Sequence, residues 1–499
     1  MKIQHRVAIL LTAVVAVVCS SCRHSHGDED IHHESIQLTA YGDDFEVYAE
    51  AMPFVAGEQS EITAHFTHLK DFKPLEAGKV TASLTVGGKT IQQTMDASSR
   101  PGIFLFTLIP EAEGKGLLRF DIETEAGETR VVMPEIEIFA KRQEALHDAA
   151  ERVVTGSNAI AFSKEMSWKT DFSTALCRKQ PFGQVIRTMA QVQSSQGDER
   201  IISAKAGGIV TISGTGVAEG EAINAGQTLL YIENGNMADN NMAVRYREAE
   251  SSHTLAKQTY ERKRALAEDG IVSQSDLQRA KADYEAAEAA YNNLRKNFPT
   301  GRQVVISPIG GFVSRLFVRN GEYVEAGQPV ATISQNRTLR IKAEIQSRYY
   351  PLLGSITDAH LRIPRSGETY DMESLNGRMV SYGKSVEADS PLLPVLFQVD
   401  NKAGLLPGEF VEMFIKTRGT QPAIVVPNVA IVEEMGNHFV FVQLTPELFE
   451  KREVRIGQTD GIDTEILSGL DGSERIVAKG AMMVKLAQAT GFDAHGHSH

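Results

Sequence analysis

A repeated segment, interrupted by a long insertion, constrains the fold of this chain more than any other feature of its sequence. The first copy, residues 204–233, reads AKAGGIVTISGTGVAEGEAINAGQTLLYIE, and the second, residues 307–334, reads SPIGGFVSRLFVRNGEYVEAGQPVATIS. Alternating apolar residues between closely spaced glycines predict about four short strands in each copy. Because so few short strands cannot bury a core alone, we expect the two copies to form one small, flattened β-sandwich.

The insertion between the copies has the composition and periodicity of two helices. Residues 237–269 are rich in Ala, Glu, Arg and Lys and lack proline, and apolar residues in 273–298 recur at spacings of three and four. The expected seam positions are Met242, Tyr246, Ala249, His253, Ala256, Tyr260 and Ala267 in the first helix, and Leu277, Ala280, Tyr284, Ala287, Tyr291, Leu294 and Phe298 in the second.

Capping residues complete the prediction of a helical hairpin over residues 237–302. Gly270 suits the end of the first helix, and Ser273 with Asp276 suits the start of the second. At about 1.5 Å per residue, each helix should be about 40 Å long. We expect His253 to pack in the seam and not to bind a ligand.

The N-terminus has the pattern of an export signal. Two basic residues precede an apolar stretch, residues 7–18, that is too short to span a bilayer, and small residues and cysteines follow. We expect residues 1–21 to be removed as a signal peptide and Cys22 to be lipidated, although Cys19 stands where such signals usually carry Leu or Val. A simple secretory signal is the alternative.

Charge, cysteine content and motifs exclude several classes of function. The formal net charge of −13, without a basic run, argues against nucleic-acid binding. A lipidated Cys22 would leave Cys177 unpaired, so we expect no intramolecular disulfide and a buried Cys177 that acts as a small hydrophobe. No nucleophile elbow, P-loop or HExxH motif occurs, so we predict that the protein is not an enzyme.

The order of these features resembles the periplasmic adaptor proteins of RND efflux pumps. These are HlyD-type membrane fusion proteins, and the heavy-metal CusB-like branch is the nearest. The two copies resemble the halves of a biotinyl/lipoyl domain, without the lysine that carrier domains modify. Residues 340–346 and 396–416 look like barrel strands, and the LPGEFV of residues 406–411 looks like a turn of the family. The VPNVAI of residues 426–431 looks like the start of its membrane-proximal domain.

The resemblance implies a multidomain, mainly β fold in which the domains are nested around an antiparallel coiled-coil hairpin. The expected parts are a membrane-proximal β domain (159–180 and 420–485), a β-barrel (181–200 and 335–419) and a split lipoyl-like domain (201–236 and 303–334). Residues 35–140 lie outside the resemblance. Their alternating pattern and regular turn signals predict an immunoglobulin-like β-sandwich, followed by a linker over 141–158.

The resemblance also implies a function. We expect an adaptor, in the periplasm of a Gram-negative cell envelope, that bridges an inner-membrane RND transporter to a TolC-like outer-membrane channel and assembles into a ring. Arg264, Ile271 and Ser275 keep the spacing that channel-engaging adaptors carry at the hairpin tip, with Ile in place of Leu. A guanidinium can dock on carbonyls and carboxylates of a channel rim. The alternative is that Arg264 is a surface charge and Ser275 a helix-start residue.

Histidines at the two ends of the chain suggest a metal cargo. They are His24, His26, His32 and His33 in the tether (22–34), and His495, His497 and His499 in the tail (486–499). Imidazoles on flexible segments suit transient binding of Zn, Cu, Ni or Co, and we expect no obligatory cofactor. No methionine cluster is evident, and Met482 and Met483 are expected to pack in a strand.

Three alternatives stay open at the level of the sequence. The histidine-rich ends could be polar segments that bind no metal. An adaptor of an ATP-driven or multidrug exporter would share the body of the chain without needing the histidines. A soluble metal-buffering lipoprotein would need a compact metal site, and the sequence alone reveals none.

Overall fold

In the computed structural model the chain forms two compact units. The structure describes residues 35–154, 158–212, 217–233, 242–297, 302–385 and 391–490. The first unit contains the described residues up to Thr174, Phe441–Lys451 and the residues from Met482 onward, and the second contains Ala175–Val440 and Arg452–Ala481. The predicted class, mainly β with a helical hairpin, is confirmed. Within the described ranges, no helix combines the length and apolar character needed to cross a bilayer.

The first unit begins with the predicted β-sandwich. Its strands are β1 Ile36–Tyr41, β2 Phe45–Ala51, β3 Ser60–His68, β4 Lys79–Val86, β5 Lys89–Met95, β6 Ile103–Leu108, β7 Gly114–Thr124, β8 Gly127–Val132 and β9 Ile136–Ile138. One antiparallel sheet has the order β1-β2-β3-β6, and the other has the order β5-β4-β7-β8 with β9 on β7. Alternate residues of both sheets point into one core, where Phe66 and Phe120 meet edge to face at 5.4 Å.

Short elements follow the sandwich. They are α1 Arg142–Arg152, β10 Ala159–Ala161, α2 Lys164–Trp168, β11 Ser173–Leu176 and β12 Arg178–Pro181. The predicted linker, residues 141–158, contains α1. The sequence analysis did not predict α2, because its five residues are too few to show a helical period. Ser163 caps α2, since its side chain accepts a hydrogen bond from the Met166 amide at 3.3 Å.

The two copies of the repeat fold as one domain. The elements from here to the end of the second copy are β13 Val185–Ser194, β14 Glu199–Ser203, β15 Gly208–Thr211, β16 Ala222–Ile223, β17 Thr228–Glu233, α3 Met242–Glu268, α4 Gln274–Asn297, β18 Gln303–Ile306, β19 Gly311–Leu316, β20 Tyr323–Val324 and β21 Pro329–Ser334. The sheets have the orders β14-β21-β19-β16 and β18-β17-β15-β20. Each sheet therefore takes two strands from before the hairpin and two from after it, so neither half can complete the core without the other.

Repeated residues make the same contacts in both copies. The Glu of each Gly-Glu accepts a hydrogen bond from the backbone amide three residues earlier, and the Gln of each Ala-Gly-Gln does the same. The pairs are Ala218 N to Glu221 at 3.0 Å, Arg319 N to Glu322 at 2.8 Å, Asn224 N to Gln227 at 3.0 Å and Glu325 N to Gln328 at 3.0 Å. The two copies therefore repeat the same residues because they use the same two side-chain-to-backbone hydrogen bonds to close their turns.

The second unit also contains a barrel-like sheet. Its strands are β13, β22 Thr338–Gln346, β23 Ile356–Arg362, β24 Thr369–Asp371, β25 Arg378–Tyr382, β26 Leu392–Asp400 and β27 Phe410–Thr417, in the order β24-β23-β27-β13-β22-β26-β25. Residues 396–416 are two strands and not one. The turn between them includes Gly408, whose φ is +94°, and a hydrogen bond from the Glu409 amide to the Leu406 carbonyl at 3.0 Å.

The last elements are β28 Pro422–Pro427, β29 Val432–Glu434, β30 Asn437–Thr445, β31 Leu448–Thr459, β32 Asp463–Ser468, β33 Arg475–Lys479 and α5 Ala481–Thr490. The prediction that Met482 and Met483 pack in a strand is wrong, because both lie on α5 and are exposed. Cys177 is buried as predicted, and burial raises the pKa of its thiol to about 11, which leaves the thiol protonated at neutral pH.

Candidate functional site

The helical hairpin is held together by an aromatic seam. Tyr246 of α3 lies 5.7 Å from Tyr291 of α4, measured between ring centroids, and Tyr260 stacks on Tyr284 at 5.8 Å. Between these pairs, His253 stacks on Tyr291 at 5.1 Å. The prediction that His253 packs in the seam is confirmed.

The hairpin has the dimensions of a long arm. The twenty-seven residues of α3 correspond to about 40 Å at about 1.5 Å per residue. The predicted seam positions of α4 from Leu277 to Leu294 are buried or half-buried, with Ala280 the most buried, and Glu288 is half-buried in addition. Since both helices are otherwise polar, the narrow seam favours an extended arm over a globular helical core.

The turn at the end of the arm is tightly specified. Gly270 has a φ of +73°, and its amide donates to the Ala267 carbonyl at 3.1 Å, while the Ile271 amide donates to the Leu266 carbonyl at 2.8 Å. This pair of hydrogen bonds is a Schellman motif, which ends α3 and satisfies its last carbonyls. Ser273 then caps α4, because its Oγ accepts from the Asp276 amide at 3.1 Å.

The predicted docking residues all lie at this distal end. Arg264 is on the last turns of α3, with its side chain 63% exposed and its Nε 3.7 Å from the Glu268 carboxylate. Ile271 is in the turn and is 69% exposed, and Ser275 is exposed on the first turn of α4.

The remaining predicted site residues lie outside the described residues. They are the lipidation site Cys22 and the histidines at the two ends of the chain, His24, His26, His32, His33, His495, His497 and His499. Their roles stay predictions.

The first unit contains a cluster that the sequence analysis missed. His65 lies on β3, Glu165 on α2 and Glu447 in the turn between β30 and β31. One potential ligand atom from each of these side chains lies within 4.8 Å of the other two. His65 is buried, with 6% of its surface exposed, whereas the two glutamates are half-buried. We name these three residues the acidic histidine cluster.

Hydrogen bonds fix the segments that carry the cluster. The Lys164 amide donates to Glu447 Oε1 at 2.6 Å, and the Phe162 amide donates to the Glu447 carbonyl at 2.8 Å. Trp168 Nε1 donates to Thr67 Oγ1 at 3.0 Å, which ties α2 to β3. The turn, the helix and the strand are therefore held in one arrangement.

One lysine, Lys164, acts electrostatically on the cluster, beside the carboxyl groups of Glu50, Glu165 and Glu447. Burial lowers the pKa of His65, although Glu165 and Glu50 work against this effect. Burial, together with the nearby carboxylates of Glu50 and Glu165, raises the pKa of Glu447 to about 7, although the hydrogen bond from the Lys164 amide and the Lys164 charge oppose the change. A neutral imidazole and closely spaced carboxylates are thus gathered in a poorly solvated place.

Two domain families match parts of the chain. The CzcB-like, alpha-helical hairpin domain matches residues 242–298, and the CzcB C-terminal circularly permuted SH3-like domain matches residues 424–485. The first covers the arm, and the second covers the strands from β28 to β33 and the start of α5.

Several proteins named for metal or drug resistance are similar to more than half of the chain. The nickel-cobalt-cadmium resistance protein NccB of Alcaligenes xylosoxydans xylosoxydans is 25% identical over 312 residues, which are 61% of this chain and 76% of NccB. The nickel and cobalt resistance protein CnrB of Cupriavidus metallidurans is 24% identical over the same shares. The multidrug resistance protein MdtA of Pantoea ananatis is 26% identical over 52% of this chain and 67% of MdtA.

Solved structures also align with the chain. ZneB from Cupriavidus metallidurans aligns at 21% identity with a TM-score of 0.32, over 66% of this chain and 98% of ZneB. A MacA–MexA chimera containing the Pseudomonas aeruginosa MexA hairpin aligns at 20% identity with a TM-score of 0.41, over 61% of this chain and 99% of the chimera. The two domain matches and these relatives confirm the predicted resemblance of this chain to periplasmic adaptors of the CusB/CzcB branch of membrane fusion proteins.

Proposed function

We propose that the chain is the adaptor subunit of a tripartite RND-type pump that exports heavy-metal cations across a Gram-negative envelope. It would bridge an inner-membrane transporter to a TolC-like outer-membrane channel. The observation that carries this proposal is the arm of about 40 Å set into a split lipoyl-like domain. A soluble metal buffer has no use for a long arm with an exposed apolar tip, whereas an adaptor that reaches a distant channel needs one.

Heavy-metal cations are the favoured cargo. The relatives NccB and CnrB are named for nickel, cobalt and cadmium resistance, and the histidine-rich ends of this chain offer imidazoles for Zn, Cu, Ni or Co. A drug or solvent exporter is the second candidate, because MdtA proteins and the solvent efflux linker SrpA of Pseudomonas putida match over similar lengths.

The anchoring and assembly of the adaptor are further parts of the proposal. Lipidation of Cys22 would tether the mature chain to a membrane from the periplasmic side, and the chain would act as a ring of several copies without catalysing a reaction. The export pattern of residues 1–21 supports the first part. Palmitate labelling of the wild-type chain, lost in Cys22→Ala, is the expected result, and labelling that persists in Cys22→Ala would contradict the anchor.

Growth assays distinguish the two cargo classes. We expect deletion of the gene to sensitise the source organism to one or more of Ni, Co, Cd, Zn and Cu, but not to toluene or hydrophobic antibiotics. The wild-type chain should restore tolerance. The variant Ala249→Pro should not, because a mid-helix proline removes a hydrogen bond and kinks the arm at a cost of about 3 kcal/mol.

Two outcomes would overturn the proposal. Sensitivity confined to solvents or antibiotics would establish the second candidate. Unchanged tolerance to every compound, in a strain without a second adaptor gene, would contradict export altogether.

A further inference from the structure

We propose that the acidic histidine cluster, His65, Glu165 and Glu447, binds one divalent transition-metal cation, with Zn²⁺ as the reference ion. The cluster lies within the first unit, so the inference rests on the geometry of that unit and not on the proposed export function. A metal site would give the N-terminal sandwich a role, which the arm and the two matched domains do not explain.

The first argument is convergence. The three side chains come from a strand of the sandwich, a five-residue helix and a turn, and one potential ligand atom of each lies within 4.8 Å of the others. Binding at bonds of about 2.0–2.2 Å would draw these atoms closer together. The half-buried Glu165 side chain has the freedom to make that movement, whereas the Glu447 carboxylate is already held by the Lys164 amide. The partial exposure of both glutamates gives an ion a route from solvent.

The second argument is a buried nitrogen without a well-formed hydrogen bond. His65 Nδ1 is excluded from solvent and meets no hydrogen-bond partner with good geometry among the residues that the structure describes, although the Tyr48 backbone lies close enough to act on the imidazole. Leaving a buried polar atom unpaired costs about 1–3 kcal/mol, and most such atoms in folded proteins are satisfied. A bound cation would give this buried imidazole and the two carboxylates of the cluster a common partner.

The third argument is charge. Lys164, the lysine nearest to the cluster along the chain, is buried and committed to an ion pair with the Glu46 carboxylate. Among the residues that the structure describes, neither Glu165 nor Glu447 forms an ion pair with a lysine or an arginine. Glu50 adds a further carboxylate nearby, although the Tyr48 hydroxyl donates to it at 2.7 Å. Acidic groups thus outnumber the cations that act on the cluster, and a bound metal cation would offset the difference.

The donor set selects the class of ion. One imidazole nitrogen and two carboxylate oxygens suit Zn²⁺, Co²⁺ and Ni²⁺, whereas soft monovalent ions such as Cu⁺ prefer sulfur ligands. Three protein ligands leave a coordination position for water. Such a cation would join the sandwich to α2 and to the turn after β30, and so would stabilise the first unit.

The test uses the chain's single tryptophan as an internal probe. The Trp168 ring lies 6.0 Å from the His65 ring, so Co²⁺ bound at the cluster should quench its fluorescence. The parent protein is the full exported chain with serine in place of the seven histidines at its ends, which removes those competing ligands. We expect saturable quenching at one equivalent of Co²⁺, reversed by Zn²⁺, together with a rise in the melting temperature of the first unit.

Matched variants separate ligation from a general charge effect. Glu165→Gln and Glu447→Gln should each weaken Co²⁺ binding by about tenfold or more, since each removes a ligand. Glu61→Gln changes an exposed glutamate on the same strand as His65 and should leave the affinity unchanged. Circular dichroism checks that each variant is folded. Because Glu165 is half-buried on a short helix, its variant decides the question if Glu447→Gln fails to fold.

Three results would overturn the inference. They are equal Co²⁺ affinity in the parent and in folded Glu165→Gln, an equal loss of affinity in Glu61→Gln, and the absence of quenching at millimolar Co²⁺. None of these results bears on export, which the growth assays measure separately.

Discussion

At the scale of single residues, His360 is the clearest source of pH dependence. It is buried on β23, with Nδ1 2.7 Å from the Asp460 carbonyl and Nε2 3.5 Å from the Asp358 carboxylate. Burial alone would lower the pKa of His360, but its interactions with Asp358 and Asp460 outweigh this effect and raise the pKa to about 9. Although burial opposes it, the pKa of Asp460 is held well below its usual range by His360 and Lys416.

The interactions of His360 with Asp358 and Asp460 predict a change of stability in alkaline solution. Because the folded-state pKa of His360 lies above the unfolded value of about 6.5, protonation stabilises the fold fully below that pH, and the benefit is lost as the pH rises through about 9. We expect the difference in unfolding free energy between wild type and His360→Gln to shrink by on the order of 1–2 kcal/mol across this window, after allowance for solvent screening. Chemical denaturation at several pH values measures it, with exposed His147→Gln as control. A difference that does not vary with pH would refute the prediction.

Lys164 and Glu46 form a second exceptional pair. Both side chains are only 2% exposed, and they are paired with each other. Replacing one partner of a buried ion pair leaves the other charge without compensation, which costs about 3–5 kcal/mol. We therefore expect Glu46→Gln to lower the midpoint of urea unfolding strongly, as followed by Trp168 fluorescence.

The matched control for this prediction is an exposed pair in the same sandwich. Lys79 and Glu123 are 2.9 Å apart and more than 40% exposed, so water screens their interaction and Glu123→Gln should shift the unfolding midpoint far less than Glu46→Gln does. Similar unfolding midpoints for Glu46→Gln and Glu123→Gln would show that burial of the first pair is not important for stability.

At the scale of elements, the Gly-Gly of each repeat is explained by a close approach of two strands. A Cβ on Gly311 would lie 2.2 Å from the Ser334 carbonyl oxygen, and one on Gly208 would lie 2.7 Å from the Glu233 carbonyl oxygen. Ser334 and Glu233 end the last strand of their respective copies. The two copies therefore use glycine for the same contact.

This contact predicts a local loss of stability. The obstructing atoms are backbone atoms of a paired strand and cannot rotate away, so Gly311→Ala should cost about 1–3 kcal/mol. Hydrogen exchange of the amides in β19 and β21 should accelerate accordingly. Gly197→Ala, at a position with no neighbouring atom within 4 Å, should leave these amides unchanged. Unaltered exchange in Gly311→Ala would mean that the strands can separate without cost.

Elements also differ in how far the sequence predicts them. The local periodicity of the sequence encodes the two helices of the hairpin and their seam. Gly270 and Ser273 encode the turn between the helices, so these features follow from the sequence. Each sheet of the lipoyl-like domain takes strands from both copies of the repeat. No local pattern encodes this pairing, but the repetition of the sequence implies it. The acidic histidine cluster carries no such signal, because His65, Glu165 and Glu447 lie on separate segments that only the fold of the first unit brings together. The helix α2 is too short for its period to be read.

At the scale of the whole molecule, the two proposals fall in different compact units. Channel docking belongs to the hairpin of the second unit, and metal binding by the cluster belongs to the first. Variants of one site should therefore leave the other property intact. Glu165→Gln should still crosslink to the outer-membrane channel, and tip variants should still bind Co²⁺ at the cluster.

The tip variant Arg264→Asp tests the docking part of the adaptor function. Arg264 is exposed near the turn, and its guanidinium can donate to carbonyls and carboxylates on a channel rim, whereas an aspartate would repel them. A like-charged neighbour four residues away costs a helix only about 0.2–0.5 kcal/mol, so the hairpin should remain folded. We expect Arg264→Asp to abolish crosslinking to the channel and metal tolerance in cells, while Arg262→Asp, an exposed change on another face of α3, should retain both. If Arg264→Asp combined with Ser275→Ala were fully active, the tip would not be the docking site, and Arg264 would be one more solvated charge on a polar helix.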